Sequence, residues 1–383
     1  MLVVLCVLGS ATLFYLNANQ LSLWTPSITS IPLGSSPTQT VQVPAEFVEP
    51  RRTGDYELAV STYESTINDP TKSSEEKAIA TYGAAGAKFH VTGDINDRLA
   101  DVQSLKKIVV DPTISLATRI ASLNILAAAY ADSGRDPVVF EEMYKDEPFR
   151  SYLAPGEPEL SSRQLYEWSY SLKPTSLAAV RIAKWYSEQY VFNENQTEDT
   201  TKAYVALTED YMNKATALIA TEAEKDPTFY ESSQYVNYLY WKAVITGRLS
   251  LQKGEPYTSQ YHDTYDQYIK FAQESLNPLA KEYLFYARYN FSLRLFRAND
   301  FEATKIQLDL LAKELDALPH PDVTGFVRFL RNIYTYQRKG LNWTITEKLF
   351  TVSPNFKTTV ERIIATIPPS AAGTAGQPVI DNY

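Results

Sequence analysis

The sequence is poor in the residues that most often carry chemistry. It has one cysteine, three histidines and three methionines in 383 residues. Cys6 lies in the N-terminal apolar run, so an intrachain disulfide is impossible and a cysteine-built metal site is excluded. His90, His262 and His320 stand far apart, and no HExxH zinc motif joins any two of them. Nucleophile elbows of the GxSxG type and GxxxxGKS phosphate loops are also missing. Only 14 glycines are present, too few for the many turns of an all-β fold. Basic charge is in deficit, with a net charge of −9. A phosphate backbone needs a basic face, so nucleic acid is not an expected partner. The adjacent pairs Glu75–Glu76 and Glu141–Glu142 fall on predicted helix ends or faces, where acidic groups complement the helix dipole. The sequence therefore assigns no catalytic residue, no metal and no cofactor.

Charge is also missing from the start of the chain. No charged residue precedes Glu46, and Met1 to Leu16 is almost wholly apolar. Residues 1–24 read as a signal-anchor helix or a signal peptide, with Tyr15 and Trp24 as aromatic anchors at the membrane surface. A buried helix of the fold is a third reading, and the lack of Lys or Arg before the run counts toward it without displacing the other two. Residues 25–50 place Pro at 26, 32, 37, 44 and 50 among Ser and Thr, a composition that neither forms a helix nor buries a core. It reads as an extended linker. The expected location is the cytoplasmic membrane, single-pass, with the body on the extracytoplasmic side, or secretion if the leader is cleaved.

From Arg51 the pattern changes to a helical period. Tyr56, Val60, Tyr63 and Ile67 fall on one face, and Asp69-Pro70 stops the run. Ser73 or Ser74 is placed to cap a second helix, in which Ala78, Tyr82, Ala85 and Phe89 share a face. Gly93-Asp94 closes it. Ile95, Leu99, Val102, Leu105 and Val109 form the next stripe, stopped by Asp111-Pro112. Leu116, Ile120, Leu123, Ala127 and Tyr130 form another, ended by Gly134. Stops therefore recur at intervals of roughly 40 residues with two helices per unit, the signature of stacked helix pairs.

These residues resemble the tetratricopeptide (TPR) repeat family. Gly54-Asp55-Tyr56 followed by Ala59 and Tyr63 matches the family's turn and the helix after it. Tyr82, Gly86, Phe89 and Gly93-Asp94 match in register, as do Leu123, Leu126, Ala127, Tyr130 and Gly134. Arg98 departs from the pattern where a small residue is expected, Pro70 comes early and Pro112 late. The resemblance covers residues 51–147 best. It implies an all-α solenoid of antiparallel helix pairs that binds protein partners through a concave face. On that face it points to Tyr82, Lys88, Phe89, Arg119 and Asn124.

Residues 148–367 continue in helical patterns after a break at 148–160, with about 14 helices expected in all. Ser161 is placed as a cap, Pro174 as the opening of the following helix, and Asp226-Pro227 as a third stop. Asn299-Asp300-Phe301 repeats the logic of Gly54-Asp55-Tyr56. This half carries much of the chain's 27 Tyr. Tyr235, Trp241, Tyr261 and Tyr265 read either as an aromatic groove for a solute or glycan, or as packing between helices. An all-α enzyme, such as a glycoside hydrolase or lyase, is a further alternative without an assignable carboxylate pair. Residues 368–383, rich in Pro, Ala and Gly, are expected to be a disordered tail.

Overall fold

The computed structural model describes residues 56–91, 95–133, 137–154, 157–192, 196–226, 228–252, 259–318 and 341–365, together with 326, 327, 329, 330 and 334. Among the described residues fifteen α-helices are delimited, with no strand. They are α1 (Tyr56–Asn68), α2 (Ser74–Val91), α3 (Ile95–Val110), α4 (Leu116–Ser133), α5 (Pro137–Tyr144), α6 (Phe149–Tyr152), α7 (Pro158–Leu172), α8 (Ser176–Phe192), α9 (Glu198–Lys225), α10 (Ser233–Gln252), α11 (Ser259–Glu274), α12 (Pro278–Arg297), α13 (Phe301–Asp316), α14 (Leu341–Val352) and α15 (Pro354–Ala365). A 3-10 turn, Phe229–Glu231, precedes α10. The all-α expectation is met. The leader 1–24, the linker 25–50 and the tail 368–383 lie outside the described residues. No described helix is long and apolar enough to cross a membrane.

The helix stops are local chemistry. After Asp69, Asp111 and Asp226 a threonine stands two residues on, and its N–H and hydroxyl both donate to the aspartate Oδ1. The distances are 2.8 and 2.7 Å at Thr71, 2.8 and 2.7 Å at Thr113, and 2.9 and 2.8 Å at Thr228. The intervening proline has no N–H to extend the helix, and the aspartate side chain closes the turn in its place. The start of α2 is a reciprocal cap. Glu76 N–H donates to Ser73 Oγ at 3.2 Å, and Ser73 N–H donates to Glu76 Oε2 at 2.9 Å. Those hydrogen bonds, first the one from the Ser73 backbone, hold the Glu76 carboxyl down at about 2. Before α13, Asn299 takes φ 63° and Asp300 Oδ1 accepts from Ala303 N–H at 3.0 Å. Asparagine there supplies the left-handed turn that Gly supplies elsewhere.

Two expected boundaries move. Ser161 is not a cap: α7 already opens at Pro158, in the first-turn position where a missing N–H costs nothing, and Ser161 Oγ donates back to Ala154 O at 3.0 Å. Pro174 does not open α8. The helix starts at Ser176, whose N–H and hydroxyl donate to Glu222 at 3.0 and 2.5 Å.

Apolar residues collect in four successive clusters joined by shared helices. The first holds Ala59 and Tyr63 of α1 with Ile79, Ala80, Ala84 and Ala87 of α2. The second takes the other side of α2 through Ala85 and runs past the break at 148–160 to Trp185 and Tyr186 of α8. The third takes Ala179, Val180 and Ala183 of α8 and ends at Leu295 of α12. The fourth starts at Phe285 and Tyr289 of α12 and ends at Ile363 of α15. Thus α2, α8 and α12 each bury two sides against different neighbours. The main helix contacts join elements adjacent or next but one in the chain, except that α4 reaches α7 past the short α5 and α6. Close approach is set by glycine at two points. A Cβ on Gly83 would stand 2.5 Å from the Tyr63 ring, and one on Gly247 would overlap the Tyr261 ring.

Candidate functional site

A small concave site lies where α2, α3 and α4 meet. It is lined by Ala85 and Lys88 of α2, Asp97, Arg98, Asp101 and Leu105 of α3, and Ala129 of α4. Its apolar floor follows from the sequence stripes. Ala85, Leu105 and Ala129 come from faces that pack helix on helix, and two alanines leave space that larger side chains would fill.

The charged lining centres on Lys88. Its ammonium stands 3.4 Å from Glu64 Oε1 of α1 and 3.5 Å from Asp101 Oδ1. Burial removes water from Lys88, but Asp101 and then Glu64 outweigh it and hold its pKa above the usual lysine value. Asp101 moves the opposite way for a carboxylate paired with lysine. Burial pushes its carboxyl up to about 6, the Lys88 ammonium offsets this only in part, and Asp97 and Glu64 add like charge. The two shifts are consistent, because Lys88 meets three carboxylates whereas Asp101 meets one ammonium and two like charges.

The residues singled out from sequence meet different fates. Lys88 lines the cleft. Tyr82 is half-buried and packs between the first two clusters rather than into the cleft. The Phe89 side chain lies outside what is described. Arg119 is not a groove residue. It is 2% exposed, and its Nε donates to Val109 O at 2.8 Å, satisfying a carbonyl at the end of α3. Asn124 is half-buried, and its Oδ1 has no hydrogen-bond partner among the described residues. Asp97, Arg98 and Asp101 were missed. Arg98 left a trace, since it is the residue that breaks the repeat pattern in its unit. The two aspartates left none, because acidic residues four apart near a helix start read as an ordinary solvated face.

The tyrosine-rich half is packed. Trp241, Tyr261 and Tyr265 are 1, 2 and 1% exposed and belong to the third cluster. Tyr261 and Tyr265 meet edge to face at 5.1 Å, and Tyr265 stacks on Phe291 at 5.2 Å. Trp241 lies beneath the Lys184 ammonium at 4.7 Å. Tyr235 is half-buried and packs against the edge of the same cluster, with Tyr230 at 5.0 Å and Phe271 at 5.5 Å. All four pack within or against this one cluster. A further polar cluster, absent from the sequence reading, joins α7 to α8. The Arg163 guanidinium covers the Trp185 ring at 4.4 Å and lies 3.4 Å from Glu167, whose carboxyl burial pushes up.

The described residues contain no group of three or more His, Cys, Asp or Glu arranged to hold a metal ion. Comparison of the chain with protein-family models, with curated proteins and with solved structures finds no match.

Proposed function

We propose that this chain is a non-enzymatic protein-interaction scaffold or assembly factor, built as a TPR-like solenoid and held at a membrane by its N-terminal segment. The observation that carries the reading is the sequence of four clusters joined through α2, α8 and α12. Such packing is what a stack of helix pairs requires, since each pair buries its stripe only against the next. Stacks of this kind present grooves between helices, and the small cleft at α2–α4 is one place where an apolar floor and charged groups meet. The tether rests on the apolar run at 1–24 and the proline-rich linker behind it. The buried state of Trp241, Tyr261 and Tyr265 favours this reading over a solute- or glycan-binding one, which needs those rings exposed to ligand.

Site-specific photo-crosslinking in the native cell tests the proposal. A crosslinker at Arg98 is expected to capture a defined protein that one at exposed Glu224 does not. Equal capture from both positions, or none from Arg98, would contradict a partner seated in this cleft. Fractionation tests the tether: intact chain found in the soluble fraction would remove it.

A further inference from the structure

We propose that the exposed patch on the turns before α10 and α12 is the docking site for a segment of this chain itself, residues 378–380, with Val379 and Ile380 as its apolar anchors. Two turns build the patch. Tyr230, in the 3-10 turn before α10, is 49% exposed, and Leu276, between α11 and α12, is 71% exposed. Asn277 Nδ2 donates to Glu231 O at 2.8 Å, so the residues that follow Leu276 and Tyr230 are bonded to each other. Half-buried Tyr235 continues the patch inward, its ring 5.0 Å from Tyr230 and 5.5 Å from Phe271. A lone apolar side chain on a surface is ordinary, whereas aromatic and aliphatic groups gathered in one exposed patch mark an interaction surface. The exposed charges of these turns and their flanks, Lys225, Asp226, Glu231, Glu274 and Lys281, carry both signs, so the fit is apolar rather than ionic.

Chain direction brings the occupant to this end of the molecule. α12 runs away from the turn that holds Leu276, and α13 returns antiparallel to it after the tight turn at Asn299. α15 lies alongside α13 in the same sense as α13. Asp309 accepts from Ser353 Oγ at 2.6 Å and from Asn355 Nδ2 at 3.2 Å, and further along both helices Asp316 pairs with Arg362. α15 therefore ends, at Ala365, on the side of the molecule that carries Leu276. From α15 through α13 and α12 to α11 is three helix spacings, about 30 Å at about 10 Å each. Residues 366–378, extended at about 3.3 Å each, span about 40 Å. Between Ile367 and Val379 the sequence holds only Pro, Ser, Ala, Gly, Thr and Gln, so Val379 and Ile380 form an isolated apolar anchor on a spacer. A tether of this kind supplies an effective concentration of about a millimolar, at which a weak anchor suffices. The linker 25–50, by contrast, leads into α1 of the first cluster, whereas the patch borders the third.

The test places photoreactive benzoylphenylalanine at Asn382 of the full chain, which leaves both anchors intact, and maps its crosslinks by peptide mass spectrometry in dilute solution. A crosslink within one chain, into residues 228–235 or 271–279, is expected. Tyr230→Ser combined with Leu276→Ser should reduce its yield about tenfold or more. Val379→Asp combined with Ile380→Asp should do the same without touching the folded body, and thermal melting checks that both variants fold. Crosslinks spread over the surface, placed on another segment, or unchanged by either variant would overturn the docking site. Crosslinks that join two chains and grow with concentration would make the occupant a second copy. Binding to phosphatidylcholine vesicles that is lost with Tyr230 and Leu276 would make it a membrane surface. A photoreactive group at Val41 that reaches the patch in place of the one at Asn382 would make it the linker. Each of these three results would overturn residues 378–380 as the occupant.

Discussion

Single residues hold this molecule together where charge or shape is tightly matched. Arg288 of α12 is 1% exposed and paired in two-pronged fashion with Glu314 of α13, at 2.7 Å from Nε and 2.8 Å from Nη2, while Nη1 donates to Gln307 at 2.8 Å. Glu314→Ala leaves that guanidinium buried and unpaired and should cost about 3–5 kcal/mol, read by chemical denaturation. Gly247→Ala forces Tyr261 out of its seat and should cost about 1–3 kcal/mol, although alanine is the better helix former by about 1 kcal/mol. Asp101 acts in the other direction. Its folded value of about 6 exceeds the ordinary 3.8, so the folded chain holds a proton that the unfolded chain has released between those values. Stability therefore falls as pH rises from about 4 to about 6, by an amount on the order of 2 kcal/mol. The difference between wild type and Asp101→Asn should show this slope, because the other titrating groups cancel in it. A difference that rises with pH would contradict the assignment. Little at this scale was legible in the sequence. Arg288 and Glu314 are 26 residues apart, and no local pattern joins them, just as none announced Asp97 and Asp101.

Helices and their ends were far more legible, since caps and stops depend on a few neighbouring residues. Asp69-Pro70, Asp111-Pro112 and Asp226-Pro227 each stop a helix, and Ser73 and Asp300 each cap one. The two displaced boundaries have non-local or competing causes: the start of α8 is fixed by Glu222, distant in sequence, and α7 opens on Pro158 before the serine is reached. The Glu222 contact has two counterparts. Glu75 of α2 accepts from Ser115 N–H at 2.9 Å and Oγ at 2.7 Å and from Thr118 Oγ1 at 2.5 Å, so it caps α4 from one unit away. Asp309 of α13 accepts from Ser353 Oγ at 2.6 Å at the start of α15. Burial alone would raise the Glu75 carboxyl, but the bonds from Ser115 and Thr118 outweigh it and leave the value lowered. This contribution is fully present above the ordinary glutamate value of 4.5 and is lost as pH falls from there through the lowered folded value. Glu75→Ala leaves the Ser115 N–H without its partner and should cost about 1–2 kcal/mol. Its hydrogen-exchange footprint should centre on the first turn of α4. A footprint confined to α2 would mean that the contact between units carries no energy.

At the scale of the whole molecule, the helical period was legible from Arg51 onward, and the four clusters joined by α2, α8 and α12 support the stack of helix pairs proposed above. The stripes of Tyr261, Tyr265 and Tyr268 were visible as a period but not as a role, because a tyrosine in a groove and a tyrosine between helices share the same spacing. The break at 148–160 was visible too, yet the second cluster runs across it, since Phe149 and Tyr152 of α6 pack on Trp168 at 5.6 and 5.3 Å. If stability is summed from neighbouring contacts, damage at one end should stay there. Native-state hydrogen exchange of Gly83→Ala measures this most directly, because the new methyl group strikes Tyr63 in the first cluster. The account predicts faster exchange across α1 to α4 and unchanged protection in α12 to α15. Equal loss of protection at both ends would show a single cooperative core and contradict the row of nearest-neighbour clusters.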